Sequence, residues 1–170
     1  YMIGIGGVSM SGIAEILKNW GFTVTGSDWA ESDTTKKLNL DGIHVIIGHD
    51  VNMVAKADLV VYTAAIKADD VELVRAKELG CKILHRSDVL AFVSDSDKKF
   101  IGFAGTHGKT TTSGMTSYVM AKANLHPSFV VGGFVPDYHT NAEYDKDGNI
   151  FIAEMDESDG TLVKYSPDIV

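Results

Sequence analysis

Gly105-Thr106-His107-Gly108-Lys109-Thr110-Thr111 places glycine, lysine and hydroxyl side chains behind the apolar run Phe100 to Ala104 and ahead of a helical pattern. Residue types in this order bind phosphate. Backbone N–H groups of a glycine-containing loop cradle anionic oxygens, the lysine brings a positive charge to the terminal phosphates, and the hydroxyl after it reaches Mg2+. The ligand expected at Gly105 to Thr111 is therefore a nucleoside triphosphate such as ATP. The loop is shorter than the standard phosphate loop, because Phe103 occupies the place where its first glycine would stand.

A magnesium ion bridging phosphates needs a hard oxygen ligand close to that loop. Ile150-Phe151-Ile152-Ala153 is an apolar strand pattern with an acid, Glu154, at its tip. Glu154 is thus the best candidate metal ligand, beside the Thr110 hydroxyl that reaches the ion. Asp156, Glu157 and Asp159 crowd the following residues with negative charge. His107 lies within the loop and is given no chemical step. The histidines at 44, 49, 85, 126 and 139 show no metal-ligand spacing.

A second glycine loop, Gly4-Ile5-Gly6-Gly7-Val8-Ser9, also lies between a short apolar run and a helical pattern. Glycines there let backbone amides approach a pyrophosphate at the positive end of a helix. Ser9 stands at the third glycine position of the dinucleotide fingerprint, where a small side chain still permits close packing and adds a hydroxyl. Asp28, at the end of the next strand pattern, is placed to accept from a ribose hydroxyl. Taken alone, this loop and Asp28 equally fit an NAD-dependent oxidoreductase or a nucleotide-sensing module.

The elements that must position these residues alternate. Strands are expected at Tyr1 to Ile5, Phe22 to Thr25, His44 to Ile47, Asp58 to Tyr62 and Lys82 to Leu84. Helices follow from apolar spacing at Met10, Ile13, Ala14, Leu17 and Trp20, and again over Asp70 to Leu79 and Asp88 to Phe92. The polar run Ser94 to Lys99 separates this region from a second strand, loop and helix, so the expected domains are 1–95 and 96–170. In the second, strands are expected at Ser128 to Val131 and Ile150 to Ala153, with irregular chain from Gly132 to Asn149 and a further strand starting at Asp168. Strands separated by helices define an α/β fold with parallel sheets.

Fifteen Lys and Arg against 23 Asp and Glu give a net charge of −8, which excludes general attraction to nucleic acid or to an anionic membrane. Anionic ligands must be held locally, by loops. The sequence has no apolar run of membrane-spanning length and no secretory signal pattern, so a cytoplasmic location is expected. The single cysteine, Cys81, precedes an apolar strand and reads as a packed thiol.

Gly4 to Gly12, Gly26-Ser-Asp28, Val61-Tyr-Thr-Ala-Ala-Ile66, Ala104 to Thr111 and Ala153 to Gly160 together, in this order, resemble the Mur ligases, the ATP-dependent amide-forming enzymes of bacterial peptidoglycan synthesis. The resemblance spans almost the whole chain. Ser9, Thr63-Ala64 and Met155 depart from that family's usual residues. It implies a Rossmann-like parallel-sheet domain for a UDP-sugar, followed by part of a P-loop-type α/β ATPase domain, with later domains beyond Val170. It further implies ATP and Mg2+ as cofactors and UDP-N-acetylmuramate and L-alanine as substrates, joined through an acyl phosphate. Gly105, Thr106, His107, Gly108, Lys109, Thr110 and Thr111 would hold ATP, Lys109 and Glu154 would be the catalytic residues, and Thr110 and Glu154 would hold one Mg2+. Gly6, Gly7, Ser9, Ser27, Asp28, Thr63, Arg86 and Asn141 would line the sugar-nucleotide site. A second branch of the family, which attaches a ready-made peptide from cell-wall recycling to the same sugar nucleotide in place of L-alanine, is the alternative. On either reading the 170 residues alone are expected to lack ligase activity.

Overall fold

The computed structural model describes residues 1–96, 98–135, 138, 140–155 and 160–170. They form two compact units, Tyr1–Val89 and Leu90–Val170.

In the first unit, β1 (Met2–Ile3), β2 (Thr25–Asp28), β3 (His44–Ile47), β4 (Leu59–Tyr62) and β5 (Lys82–His85) form one sheet of order β3-β2-β1-β4-β5. Every pairing in it is parallel. Helices α1 (Val8–Asn19), α2 (Asp33–Leu40), α3 (Val51–Val54) and α4 (Val71–Glu78) supply the crossovers, and α5 (Arg86–Ser94) follows β5. The order reverses at β1, which opens a crevice at the carboxyl ends of the strands next to it. Burial of Met10, Ile13, Ala14, Ile16 and Leu17 gives α1 its inward face, at roughly 1.5–3 kcal/mol for each large side chain removed from water. Tyr1, Ile3, Val54, Val60, Leu73 and Ala76 form a core cluster against which Cys81 packs, as its apolar surroundings in the sequence require.

One expectation changes here. The strand expected at Phe22 to Thr25 lies further on: β2 begins at Thr25, and Phe22 is exposed. Parallel pairing with β1 and β3 fixes Gly26, Ser27 and Asp28 as strand although none of them favours it. Two helices were not legible: α2 buries only Thr35 and Leu38, and α3 is a single turn. Local caps start both. Ser32 and Thr35 exchange hydrogen bonds in a capping box at α2, and the Asp50 carboxylate accepts from Asn52 and Met53 at α3.

In the second unit, β6 (Lys99–Phe103), α6 (Lys109–Lys122), β7 (Ser128–Val135), β8 (Thr140–Glu143) and β9 (Ile150–Glu154) form a mixed sheet of order β6-β9-β7-β8. Strand β9 lies between β6 and β7 and runs parallel to both, while β8 returns antiparallel along β7. The stretch from Gly132 to Asn149 is therefore not irregular throughout. Strand β7 continues to Val135, and Thr140–Glu143 pairs back on it, burying Val135 and Ala142. Ile101, Phe129, Val131, Val135 and Ile152 make the core cluster of this unit. The strand expected at Asp168 is present as one parallel bridge, Ile101 to Ile169.

Candidate active site

Strand pairing builds the site of the second unit. Phe103 and Glu154 are register partners, so the tips of β6 and β9 lie side by side, and the loop 104–108 leaves β6 beside the Glu154 carboxylate. Gly108 sits at φ +82°, a left-handed conformation that favours glycine, and α6 starts from it with no side-chain cap. That leaves the helix start suited to an anion. Thr106, His107, Gly108, Thr110 and Thr111 are exposed, as a ligand-binding loop must be. The Lys109 Nζ donates to the carbonyl of Gly105, folding its cation back over the loop.

Glu154 is held on both oxygens. Oε2 accepts from Thr110 Oγ1 at 3.1 Å, and Oε1 accepts from Ser113 Oγ at 3.0 Å and from the Gly132 N–H at 2.6 Å. The structure thus brings together Thr110 and Glu154, forty-four positions apart. Ser113 and Gly132 were missed in the sequence, since their roles depend on the turn of α6 and on the β9–β7 pairing. A Cβ at residue 132 would lie 2.7 Å from Thr110 Oγ1 and 2.9 Å from Glu154 Oε2, so only glycine lets β7 pass this close. A hydroxyl beside a carboxylate anchored by two further donors is a hard-oxygen set of the kind Mg2+ takes. Asp156, Glu157 and Asp159 lie outside the described residues, as do Asp97 and His139. Next to Thr110 and Thr111 a cleft of about 420 Å3 continues between Met115, Tyr118 and Phe134.

The first unit carries a separate cleft, of about 580 Å3, at the carboxyl ends of its strands. Gly4, Ser27, Asp28 and Thr63 are among its lining residues. Asp28 Oδ2 accepts from the Gly6 N–H at 2.7 Å, so strand β2 and the glycine loop are tied together at the floor of the crevice. Gly7 starts α1 with no side-chain cap. Arg86 donates to Ser9 Oγ at 3.0 Å across seventy-seven positions, uniting two expected site residues at the first turn of α1. Ser27 is placed differently: it is only 1% exposed, and its hydroxyl donates to Glu72 at 2.5 Å. Asn141 lies on β8 of the second unit and is not among the residues of this cleft.

Glu72 was not legible as a site residue. It is 0% exposed, and its carboxylate also accepts from Tyr1 Oη at 2.6 Å and from the Asp50 N–H at 2.8 Å. His49 Nδ1 faces it at 3.4 Å and Asp70 at 3.9 Å, a grouping of His49, Asp70 and Glu72 that spacing along the chain concealed. Asp70 in turn caps α4 through the Glu72 and Leu73 N–H groups. These partners satisfy the buried carboxylate without a metal. Burial first, then the bond to Glu72, pushes the Tyr1 phenol far above its usual range.

Comparison with known proteins matches residues 1–97 to the Mur ligase family, catalytic domain. The UDP-N-acetylmuramate–L-alanine ligase of Carboxydothermus hydrogenoformans is 45% identical over 168 residues, 98% of this chain and 36% of that protein. The enzyme of the same name from Persephonella marina is 45% identical over 170 residues, 100% of this chain and 37% of that protein. The chain therefore spans little more than a third of the length of these relatives. Among solved structures, the UDP-N-acetylmuramate-alanine ligase MurC of Thermotoga maritima superposes with a TM-score of 0.90 at 31% identity, covering 98% of this chain and 39% of that one. The UDP-N-acetylmuramate:L-alanyl-gamma-D-glutamyl-meso-diaminopimelate ligase of Neisseria meningitides gives 0.87 at 31% identity, over 99% and 57%. An α/β chain with a five-strand parallel sheet, a second mixed sheet and these relatives belongs to the Mur ligase family.

Proposed function

We propose that this chain is the sugar-nucleotide-binding unit and part of the ATP-binding unit of a ligase that joins L-alanine to the lactyl carboxylate of UDP-N-acetylmuramate. The observation that carries the second half of this reading is the Thr110–Glu154 pair beside the loop of Lys109. The division of labour we propose has residues 1–95 serving the UDP-sugar and 96–170 opening a P-loop-type ATPase domain.

A carboxylate is a poor acylating agent, so the lactyl carboxylate attacks the γ-phosphorus of ATP and expels ADP. The acyl phosphate then takes the amine of alanine at its carbonyl carbon, and inorganic phosphate leaves. Such transfer depends on positioning and charge neutralisation more than on covalent help from the protein. Residues 105–111 wrap the phosphates with backbone N–H groups. Lys109 swings from the Gly105 carbonyl onto the transferring phosphoryl group, and Thr110 and Glu154 hold Mg2+, with Ser113 and Gly132 fixing the carboxylate. An ion held by Thr110 and Glu154 would supply charge neutralisation to the phosphates. In the first unit, the glycine loop of Gly6 and Gly7, which lets the ligand approach closely, and Ser9 and Arg86 take the diphosphate, while Asp28 and Thr63 face the nucleoside.

Relatives named for alanine addition are 45% identical to this chain over almost its whole length, and at the same 31% identity the solved alanine ligase superposes with a TM-score of 0.90 against 0.87 for the peptide ligase, which favours the free amino acid as acceptor. The test is an assay of ATP hydrolysis in a full-length ligase containing this chain, with UDP-N-acetylmuramate and either L-alanine or the tripeptide. Phosphate release with alanine is expected; release with the tripeptide alone transfers the reading to the recycling branch.

A further inference from the structure

Trp29 is 85% exposed, an unusual cost for the largest apolar side chain, and it stands on the rim of the first cleft directly after Asp28. The cleft behind it is acid-rich. Asp28, Asp69, Asp70 and Glu72 line it, against Lys67 and His49. That lining repels a diphosphate and suits a neutral, N–H-bearing heterocycle and its ribose. The cation lies elsewhere in the same unit, at the first turn of α1, where Arg86 meets Ser9 and no side chain caps the helix. Asp28 joins the two regions. Its Oδ2 is taken by the Gly6 N–H, while Oδ1, with Ala30 N–H at 3.4 Å, keeps capacity to accept from a hydroxyl.

We propose that Trp29 is the stacking platform for the nucleobase of the sugar nucleotide. The ligand then lies with its pyrimidine ring on the indole at the acid-lined mouth, its ribose on Asp28 and its diphosphate running toward α1 and Arg86. This rests on the reading of the first cleft as the sugar-nucleotide site and goes beyond it by naming the residue that grips the base. An exposed indole supplies a large rigid face with little conformational cost on binding, and every base has a π-face to offer it.

The experiment is calorimetric titration of the chain with UDP. Trp29→Ala is expected to weaken UDP about ten-fold, while Trp29→Phe, which keeps an aromatic face, stays within about two-fold of the parent. Because Trp29 is exposed, both variants retain the parent far-UV circular dichroism. In a Trp20→Phe background, where Trp29 is the remaining tryptophan, UDP is expected to quench the fluorescence. UDP binding that is equally tight in Trp29→Ala and in the parent overturns the platform and leaves the cleft assignment standing. A parent chain that binds no UDP overturns both.

Discussion

Thr110 Oγ1 and Glu154 Oε2 lie 3.1 Å apart because two strand tips, β6 and β9, are register partners and the loop 104–108 turns straight from one of them into α6. A hydroxyl and a carboxylate from distant parts of the chain thereby face the same point as the lysine loop. The following predictions test what that arrangement does, in a full-length ligase containing this chain unless stated otherwise.

Lys109→Ala removes the cation that meets the transferring phosphoryl group. Turnover is expected to fall on the order of a hundredfold or more, with UDP-sugar affinity unchanged, because the other site lies in the first unit. Steady-state kinetics together with calorimetry read both quantities. Parent-level turnover removes Lys109 from the mechanism.

Glu154→Gln keeps the shape of the side chain and removes its charge. The Mg2+ concentration needed for half-maximal activity is expected to rise about ten-fold or more. A magnesium titration at saturating ATP shows this; an unchanged requirement means that Glu154 is no metal ligand.

Gly132→Ala introduces a methyl where 2.7 Å and 2.9 Å separate it from Thr110 Oγ1 and Glu154 Oε2. The strand or the carboxylate must shift, at about 1–3 kcal/mol of stability, and ATP binding weakens while UDP binding persists. Chemical denaturation with paired nucleotide titrations checks this; wild-type ATP affinity contradicts the packing described.

Glu72→Gln turns an amide N–H2 toward donors that now share a carboxylate. Tyr1, Ser27 and Asp50 cannot all keep an acceptor, so the chain is expected to lose about 1–3 kcal/mol, measured as a fall in urea midpoint. An unaltered midpoint argues against the hub.

Asp145 governs a pH dependence. It accepts from the Asp147 N–H at 2.9 Å, from the His126 ring at 3.0 Å and from the Gly148 N–H at 3.2 Å, and the Asp147 bond leads in holding its carboxyl below the usual 3.8. A depressed value in the folded state means that stability is present above 3.8 and is lost as pH falls through the folded value. Asp145→Asn should therefore be less stable than the parent at pH 7, and the gap should narrow below about pH 4. Urea midpoints across that range decide it, and a gap that widens in acid reverses the sign.

The lysine loop and Glu154 stand out in the sequence by local order: apolar strand, glycines or an acid at the tip, then helix. Arg86 enters only through the resemblance to the Mur ligases, and its bond to Ser9 spans almost the whole first unit. Other features depend on partners far away in sequence. Ser113 and Gly132 acquire their roles only once β9 is threaded between β6 and β7, and Glu72 only once α4 returns beside β2. Ser27 carried a signal for ligand contact but spends its hydroxyl on that buried carboxylate. Helix α2 escaped because it buries only Thr35 and Leu38 and leaves its other apolar residue, Leu40, exposed, and β8 because Thr-Asn-Ala-Glu has strand form only through its pairing with β7.

The most direct measurement follows oxygen atoms. With UDP-N-acetylmuramate labelled with oxygen-18 in the lactyl carboxylate, ATP and L-alanine, the reaction proposed for the full-length ligase transfers one labelled oxygen from the carboxylate to inorganic phosphate. Phosphate carrying that label, formed only when alanine is consumed, is the predicted result. Label retained wholly in the sugar product, or found in AMP, would contradict an acyl phosphate formed at the loop of Lys109.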